Sequence, residues 1–302
     1  MDDKSRVKPA DEAVFMHYSQ AELDRNFDQR GWASNAAEVV GRWTGRSKAT
    51  RARRPHRTGL RYGPGEDETL DIFPAGQTLV PVQIFVHGGA WLRHTRDDFS
   101  FVAETFAAAG MHTVVLNFTN LPAVRLPDMV AQVRRGVEWV WRNADSLGGD
   151  REQIFLSGHS SGAHLSVITL ATDWPAIGLP ADVVKGACFL SGLYDMEPVL
   201  LSARNSYVQL SEAEAASLNP MLLADAIPCP LTLFYAEYDT DEFRRQSEAF
   251  AARLAAAGRT FSLTRMAGLN HFEIMEQLGV PQGALGQALL APNSPWRRAL
   301  VR

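Results

Sequence analysis

Continuous apolar runs alternate along the chain with segments of helical periodicity. A run that is apolar throughout predicts a strand buried on both faces. Such strands alternating with helices favour a mostly parallel sheet covered by helices on both sides, the α/β class. The predicted strands of this kind are "VPVQIFVHGG", "HTVVLNF", "QIFLSG", "VVKGACFLSG", "PLTLFYAE" and "TFSLTRM".

Two further strands and several amphipathic helices complete this pattern. The stretches "TGLRYG" and "ETLDIF" precede the first apolar run, and "PGED" between them predicts a hairpin-like turn. The sheet is therefore expected to have about eight strands. Among the helices, "LPDMVAQVRRGVEWVWRNADSLGG" opens at Pro127, ends at a glycine pair and places Val133 and Val137 on one apolar face.

Two segments interrupt the alternation of strands and helices. Residues 1–57 precede the first strand and read as a mobile tail (1–12) followed by a helical lead-in. Residues 191–226 read as an excursion of helices and loops over one end of the sheet. We predict one α/β domain over residues 1–302, with the first segment as an N-terminal cap and the second as a lid-like insertion.

Charge and cysteine content narrow the classes of function. The formal net charge is −4 and no apolar run is long enough to span a bilayer, so neither a nucleic-acid nor a membrane partner is predicted. The basic stretch 42–61 reads as a solvated helix and loop. Cys188 and Cys229 lie in apolar surroundings and read as reduced thiols. Because the charged N-terminus has no apolar core, no signal peptide is expected and a cytoplasmic protein is predicted.

The stretch "IFLSGHSSGAHLS" (154–166) contains the pattern G-x-S-x-G around Ser160. The pattern alone is weak evidence, because chance matches occur in chains with many glycines and serines. Its surroundings are more specific, since a predicted strand precedes it and a predicted helix follows. That is the sharp strand-to-helix turn that exposes a serine nucleophile. We therefore predict that Ser160 is a nucleophile.

A serine hydroxyl needs a base and a group that orients the base. His271, in "GLNHF" after the last predicted strand, is the candidate base, in the chain order Ser, Asp, His typical of this fold. Asp239 is the candidate acid, because it follows a predicted strand where open α/β sheets place their sites. Capping of the next helix is the other role open to Asp239. Asp241 and Asp195 remain alternative acids.

The stretch "VHGGAW" places two glycines directly after a predicted strand. Backbone N–H groups at glycines can approach a ligand closely. In this fold such groups, with the N–H after the nucleophile, bind the oxyanion. The predicted donors are Gly88, Gly89 and Ser161. No residue cluster has the spacing of a metal site and no phosphate-binding loop occurs, so neither a metal nor a cofactor is predicted.

These motifs resemble the hormone-sensitive-lipase-like branch of the α/β-hydrolases, and within it the arylformamidases (kynurenine formamidases) and their esterase relatives. The similar stretches are "HYSQAELDRNF", "HGGAW", "GHSSGAH", "SGLYDMEP", "AEYDTDEFRRQS" and "GLNHF". The resemblance implies the α/β-hydrolase fold and the triad and oxyanion residues named above. The chain departs from that group at Ala90, where an aromatic residue is common, and at Ser161, where alanine is more usual.

The predicted reaction is hydrolysis through an acyl-enzyme, on an amide of the aryl formamide type or on an ester. Trp91, Tyr194 and Tyr207 are candidates to stack on a small aromatic substrate, with core or lid packing as their alternative role. A general carboxylesterase acting on short acyl esters uses the same machinery. A non-catalytic binding protein on a hydrolase scaffold is a third reading. The expected partner is a small molecule, and a homodimer is compatible with the sequence.

Overall fold

The computed structural model describes residues 12–300; residues 1–11, which include nearly all of the expected tail, and residues 301–302 lie outside the described range. Within that range the strands are β1 (Ala13–Phe15), β2 (Tyr18–Ser19), β3 (Arg57–Arg61), β4 (Thr69–Phe73), β5 (Val80–Val86), β6 (His112–Leu116), β7 (Gly149–His159), β8 (Val184–Leu190), β9 (Leu231–Ala236) and β10 (Phe261–Met266). The α-helices are α1 (Gln20–Phe27), α2 (Gln29–Trp32), α3 (Ala36–Arg53), α4 (Ala103–Ala108), α5 (Leu126–Asn143), α6 (Ser161–Leu170), α7 (Glu197–Leu201), α8 (Asn205–Val208), α9 (Glu212–Ser217), α10 (Pro220–Leu223), α11 (Asp241–Ala256), α12 (Glu273–Glu276), α13 (Ala284–Leu290) and α14 (Pro295–Leu300).

Strands β3 to β10 form one sheet in the order β10-β9-β8-β7-β5-β6-β4-β3. Neighbours from β10 to β6 are parallel, whereas β4 pairs antiparallel with both β6 and β3. The predicted hairpin is present, with Leu60 opposite Leu70. All eight predicted strands occur, which confirms the α/β prediction. The ribbon of β1 and β2 was not predicted, because two or three residues are too few to show a period.

The sheet lies between two layers of helices because its strands are apolar on both faces. Ile84 and Phe85 are adjacent in β5 and belong to opposite cores, as strand alternation requires. On the side of Ile84 the core includes Val137 of α5. On the side of Phe85 it includes Trp43 of α3 and Trp296 of α14.

The basic stretch predicted to be a solvated helix and loop forms most of α3. Its arginines pair with acids of the same chain. Arg42 lies 2.8 Å from Glu276, and Arg54 lies 2.7 Å from Glu104. The basic charge is thus largely balanced within the fold. None of the helices described here is long and apolar enough to cross a membrane.

Candidate active site

Ser160 lies on the turn between β7 and α6, with φ 54° and ψ −123°. A positive φ is strained for a residue other than glycine and is typical of a nucleophile held on a strand-to-helix turn. The flanking glycines are required by close packing. A Cβ on Gly158 would lie 2.6 Å from the carbonyl oxygen of Gly162, and one on Gly162 would lie 2.2 Å from that of Val86. The turn from Gly158 to Gly162, called the elbow below, therefore has the geometry that the G-x-S-x-G motif predicts.

Three buried side chains form a continuous chain of hydrogen bonds from this turn. His271 Nε2 lies 3.0 Å from Ser160 Oγ, and His271 Nδ1 lies 2.7 Å from Asp239 Oδ1. Since a carboxylate only accepts, Nδ1 carries the proton and Nε2 is left to accept one from the serine. Asp239 follows β9 and His271 follows β10, so the parallel strands bring both to the same edge as Ser160.

The second oxygen of Asp239 is also held. Oδ2 accepts hydrogen bonds from Ser191 Oγ at 2.6 Å and from the Ala236 N–H at 2.9 Å. The side chain makes no cap on α11. Its carboxylate is thus fully committed to the histidine and to the ends of β8 and β9.

The two alternative acids are engaged elsewhere. Asp195 pairs with Arg245 at 2.9 Å. Asp241 pairs with Arg244 on the surface, in the first turn of α11. Of the three carboxylates that the sequence left open, Asp239 is the one in contact with His271.

The candidate oxyanion donors lie around Ser160. Among the described residues, the N–H groups of Gly88, Gly89 and Ser161 have no backbone or side-chain acceptor. A Cβ on Gly88 would come within 3.1 Å of Ser160 Cβ. The loop that carries Gly88 and Gly89, the glycine loop, therefore packs directly on Ser160. Gly89 has φ 128°, a conformation that favours glycine. Ser161 Oγ accepts from the Trp91 N–H at 3.2 Å and ties the elbow to this loop.

The hydroxyl of Ser160 faces a cavity of about 330 Å³. Ser160, His271 and the glycine pair Gly88 and Gly89 line its inner end. One wall comes from the lead-in helices α1 to α3 and the other from the insertion at 191–226. The lining residues are Asp24, Phe27, Asp28, Gln29, Arg30, Trp43, Gly88, Gly89, Ala90, Leu92, Arg93, His94, His159, Ser160, Ala203, Arg204, Ser206, Tyr207, His271 and Phe272.

Known proteins share this fold and sequence. A family model described as BD-FAE matches residues 70–174. Kynurenine formamidase of Danio rerio is 34% identical and is aligned over 72% of this chain and 75% of its own length. Kynurenine formamidase of Salmo salar is 33% identical over 89% of this chain and 95% of its own length. The chain belongs to the kynurenine formamidase family.

Structural similarity agrees with this family assignment. A solved structure from Silicibacter sp. TM1040, named as a thioesterase, superposes with a TM-score of 0.76 at 24% identity, over 89% of this chain and 99% of that one. At that identity it shows the α/β-hydrolase fold alone. Relatives of this family member are formamidases and esterases. The protein is therefore a hydrolase of amide or ester bonds with a small-molecule substrate.

Two of the three aromatic residues predicted to stack on substrate lie outside the cavity of this family member. Trp91 is buried and packs edge-on against His164, with ring centroids 5.3 Å apart. Tyr194 stacks on Phe250 in the core at 4.4 Å. The prediction is wrong for both, because each ring is turned beneath the helices, where it buries more apolar surface. Tyr207 does line the cavity.

Two further residues of the site, His159 and Ser191, were missed in the sequence analysis. His159 donates from Nε2 to the carbonyl oxygen of His271 at 2.9 Å, and its ring packs edge-on against Trp43. Burial lowers the pKa of His159 well below its usual value, and the nearby His271 lowers it further. His159 occupies a variable position of the G-x-S-x-G pattern, and nothing in that pattern indicates that its side chain binds the backbone of His271. Ser191 had a signal, since it directly follows a strand of the sheet.

Proposed function

We propose that this protein hydrolyses aryl formamides, with N-formylkynurenine as substrate, through a formyl-enzyme on Ser160. The observation that carries the proposal is the hydrogen-bonded chain from Asp239 through His271 to Ser160. It ends at a cavity beside unpaired N–H groups of the glycine loop. Identity of 33–34% to two kynurenine formamidases supports the choice of an aryl formamide.

In the first half of the proposed cycle, His271 Nε2 takes the proton of Ser160 as Oγ attacks the formyl carbon. The N–H groups of the three proposed oxyanion donors, Gly88, Gly89 and Ser161, hold the oxygen that becomes negative. The Asp239 carboxylate stabilises the imidazolium. The imidazolium then gives its proton to the amine nitrogen as the C–N bond breaks, which leaves a formyl ester on Ser160.

In the second half, water replaces the amine. His271 removes a proton from the water as its oxygen attacks the formyl carbon of the ester. The same N–H groups hold the second oxyanion. The imidazolium returns the proton to Ser160 Oγ as the ester bond breaks, and formate leaves. Each proton taken by His271 is thus returned within the same half of the cycle.

Aromatic lining of the cavity supports an aromatic substrate. The lead-in contributes Phe27 and Trp43, the insertion contributes Tyr207, and the loop that carries His271 contributes Phe272. We propose that the lead-in and the insertion act as the cover of this site within one domain. The two free and buried cysteines suit a reducing cytoplasm. The homodimer stays a prediction, which light scattering would check.

A general carboxylesterase is the second candidate. Ala90 lines the cavity where the arylformamidases commonly carry an aromatic residue, and a smaller side chain leaves room for other acyl groups. The triad itself serves amides and esters alike. Relative rates on the two bond types therefore decide between the candidates.

The test compares wild type, Ser160→Ala and Ser166→Ala on N-formylkynurenine and on a short-chain p-nitrophenyl ester. Ser166 is the matched control, because its buried hydroxyl bonds within α6 to the Gly162 carbonyl. We expect wild type and Ser166→Ala to deformylate the amide faster than they cleave the ester, and Ser160→Ala to lose roughly 10⁴-fold or more. Ester cleavage without deformylation would establish the esterase instead. Full activity in Ser160→Ala would remove the proposed nucleophile.

A further inference from the structure

Three arginines line the cavity of the proposed active site. They are Arg30, Arg93 and Arg204. None of them forms an ion pair with a carboxylate within residues 12–300. Some arginines elsewhere in the same range do pair, as Arg96 does with Asp71, whereas others, such as Arg57 and Arg134, do not. Three guanidinium groups without a carboxylate partner in this range therefore meet at one cavity.

Arg204 differs from the other two in being buried. Its Nη2 donates to the carbonyl oxygen of Phe27 at 2.7 Å, while its Nη1 is buried without a hydrogen-bond partner among the described residues. The guanidinium lies over the ring of Phe27 at 5.0 Å and over that of Phe243 at 5.8 Å. Its contacts are therefore one neutral oxygen and two aromatic faces, which leave the charge without a counter-ion.

The guanidinium is close to the triad. The ring of Phe243 meets His271 edge-on, with centroids 4.8 Å apart, so a single aromatic side chain separates Arg204 from the histidine. A substrate that reaches Ser160 from this cavity passes the same wall. The position suits a group a few bonds away from the scissile carbonyl.

The acids of the cavity do not neutralise this arginine. Asp24 accepts from the Ala203 N–H at 2.6 Å, and Asp28 accepts from the Gly31 N–H at 3.0 Å. Burial lowers the pKa of Arg204, and the nearby Tyr207 and the more weakly acting Asp28 offset this only in part. With three arginines against two aspartates, the lining keeps a positive balance.

We propose that Arg204 is a specificity residue that binds a carboxylate on the leaving-group half of the substrate. A buried cation is normally paired, and the planar fork of a guanidinium matches a carboxylate. Arg204 Nη1 supplies the unused donor. The bond that is cleaved follows from the proposed function, whereas the charge selection follows from Arg204 and holds for an amide or an ester. The two ideas are therefore separable.

The test uses four substrates that differ in one bond and one charge. They are N-formylkynurenine, its α-carboxamide, and the two aryl formate esters with the same side chains. For wild type we expect kcat/KM to favour the carboxylate over the carboxamide by roughly tenfold or more in whichever bond type is cleaved, chiefly through KM. If only the esters react, the proposed function fails while the charge ratio still tests Arg204. A wild-type ratio near one overturns the Arg204 proposal.

Variants test whether Arg204 causes the preference for the carboxylate over the carboxamide substrate. Arg204→Met is expected to bring the ratio close to one, and the ratio does not depend on the amount of active protein. Arg142→Met, at an exposed arginine of α5, is the matched control and should keep the wild-type ratio. A ratio retained in Arg204→Met overturns the assignment.

A second measurement uses wild type alone, so that the proposal can be tested even if Arg204→Met does not fold. Benzoate and benzamide are compared as competitive inhibitors of wild type. If Arg204 binds the carboxylate, we expect benzoate to bind roughly tenfold more tightly than benzamide. This preference should persist at high salt, since buried ion pairs are screened less than exposed ones. Equal inhibition by the two compounds contradicts the proposal. Loss of the benzoate preference at high salt assigns it to the exposed Arg30 and Arg93 instead, and so overturns Arg204.

Discussion

The hydroxyl of Ser191 donates to Asp239 Oδ2 at a distance of 2.6 Å, on the side of the carboxylate away from His271. Ser191 sits at the end of β8 with φ 43°, a strained conformation for serine. The bond fixes the rotation of the carboxylate, so that Oδ1 faces the imidazole. We therefore predict that Ser191 positions the proposed triad acid.

Replacing this serine should slow catalysis without removing it. In Ser191→Ala, Asp239 keeps the Ala236 N–H but loses one charge-assisted hydrogen bond, so we expect kcat to fall by roughly tenfold with little change in KM. Steady-state kinetics on the preferred substrate measures this. Ser247→Ala, which removes a buried hydroxyl bonded within α11, is the control. An unchanged kcat in a folded Ser191→Ala protein would contradict the positioning role.

The identity of the triad acid gives a second prediction. Asp239→Asn should reduce kcat by roughly 10³–10⁴-fold, because an amide favours the wrong imidazole tautomer and cannot balance the imidazolium. Asp241→Asn removes only a surface pair with Arg244 and should stay within about threefold of wild type. Comparable losses in the two variants would argue against the assignment of Asp239.

Crowding at the glycine loop gives a third prediction. In Gly88→Ala the new Cβ would lie 2.7 Å from the carbonyl oxygen of His159, so the loop must shift away from the elbow. Displacing one oxyanion donor should lower kcat by roughly 10²–10³-fold. Gly45→Ala is the control, since open space surrounds that position in α3. Near-normal kcat in Gly88→Ala would mean that this N–H does not contact the oxyanion.

Buried histidines give a fourth prediction, on stability. Burial lowers the pKa of His87 and of His164 from 6.5 to about 4. Between these values the unfolded chain binds protons that the folded protein does not, so their contribution is complete above pH 6.5 and is lost as the pH falls towards 4. At pH 5 the two histidines together cost about 4 kcal/mol of unfolding free energy.

Urea unfolding at pH 7.5 and pH 5.0 tests this. His164→Gln keeps a donor for the Leu218 carbonyl oxygen and should lose about 2 kcal/mol less than wild type over that interval. His17→Gln, at an exposed position in the lead-in, is the control and should follow wild type. Equal pH dependence in wild type and His164→Gln would show that His164 does not carry this effect.

The fold was predictable because its central strands are apolar on both faces and each parallel pair needs a helical connection. The elbow was predictable for a related reason. Gly158 packs against the backbone of Gly162 inside the motif, and Gly162 packs against the carbonyl oxygen of Val86 at the end of β5, so both glycines of the pattern report how tightly the turn is packed.

The walls of the cavity could not be read in the same way. Trp43 and Arg204 reach the site from distant parts of the chain, and nothing in their immediate neighbours distinguishes them from core or surface residues. Trp91 lies beside the glycine loop in sequence, yet its ring turns into the core. Proximity in sequence therefore predicts the backbone at the reaction centre better than it predicts which side chains face the substrate.

The lead-in also contacts the loops that carry the proposed triad acid and base. Gln29 donates to Thr240 Oγ1 at 2.9 Å, next to Asp239, and Asn270 donates to Asn35 Oδ1 at 2.8 Å, next to His271. A ribosome makes the lead-in well before either loop. A nascent chain therefore cannot form both contacts until residue 270 has emerged, so the proposed site is completed late in synthesis.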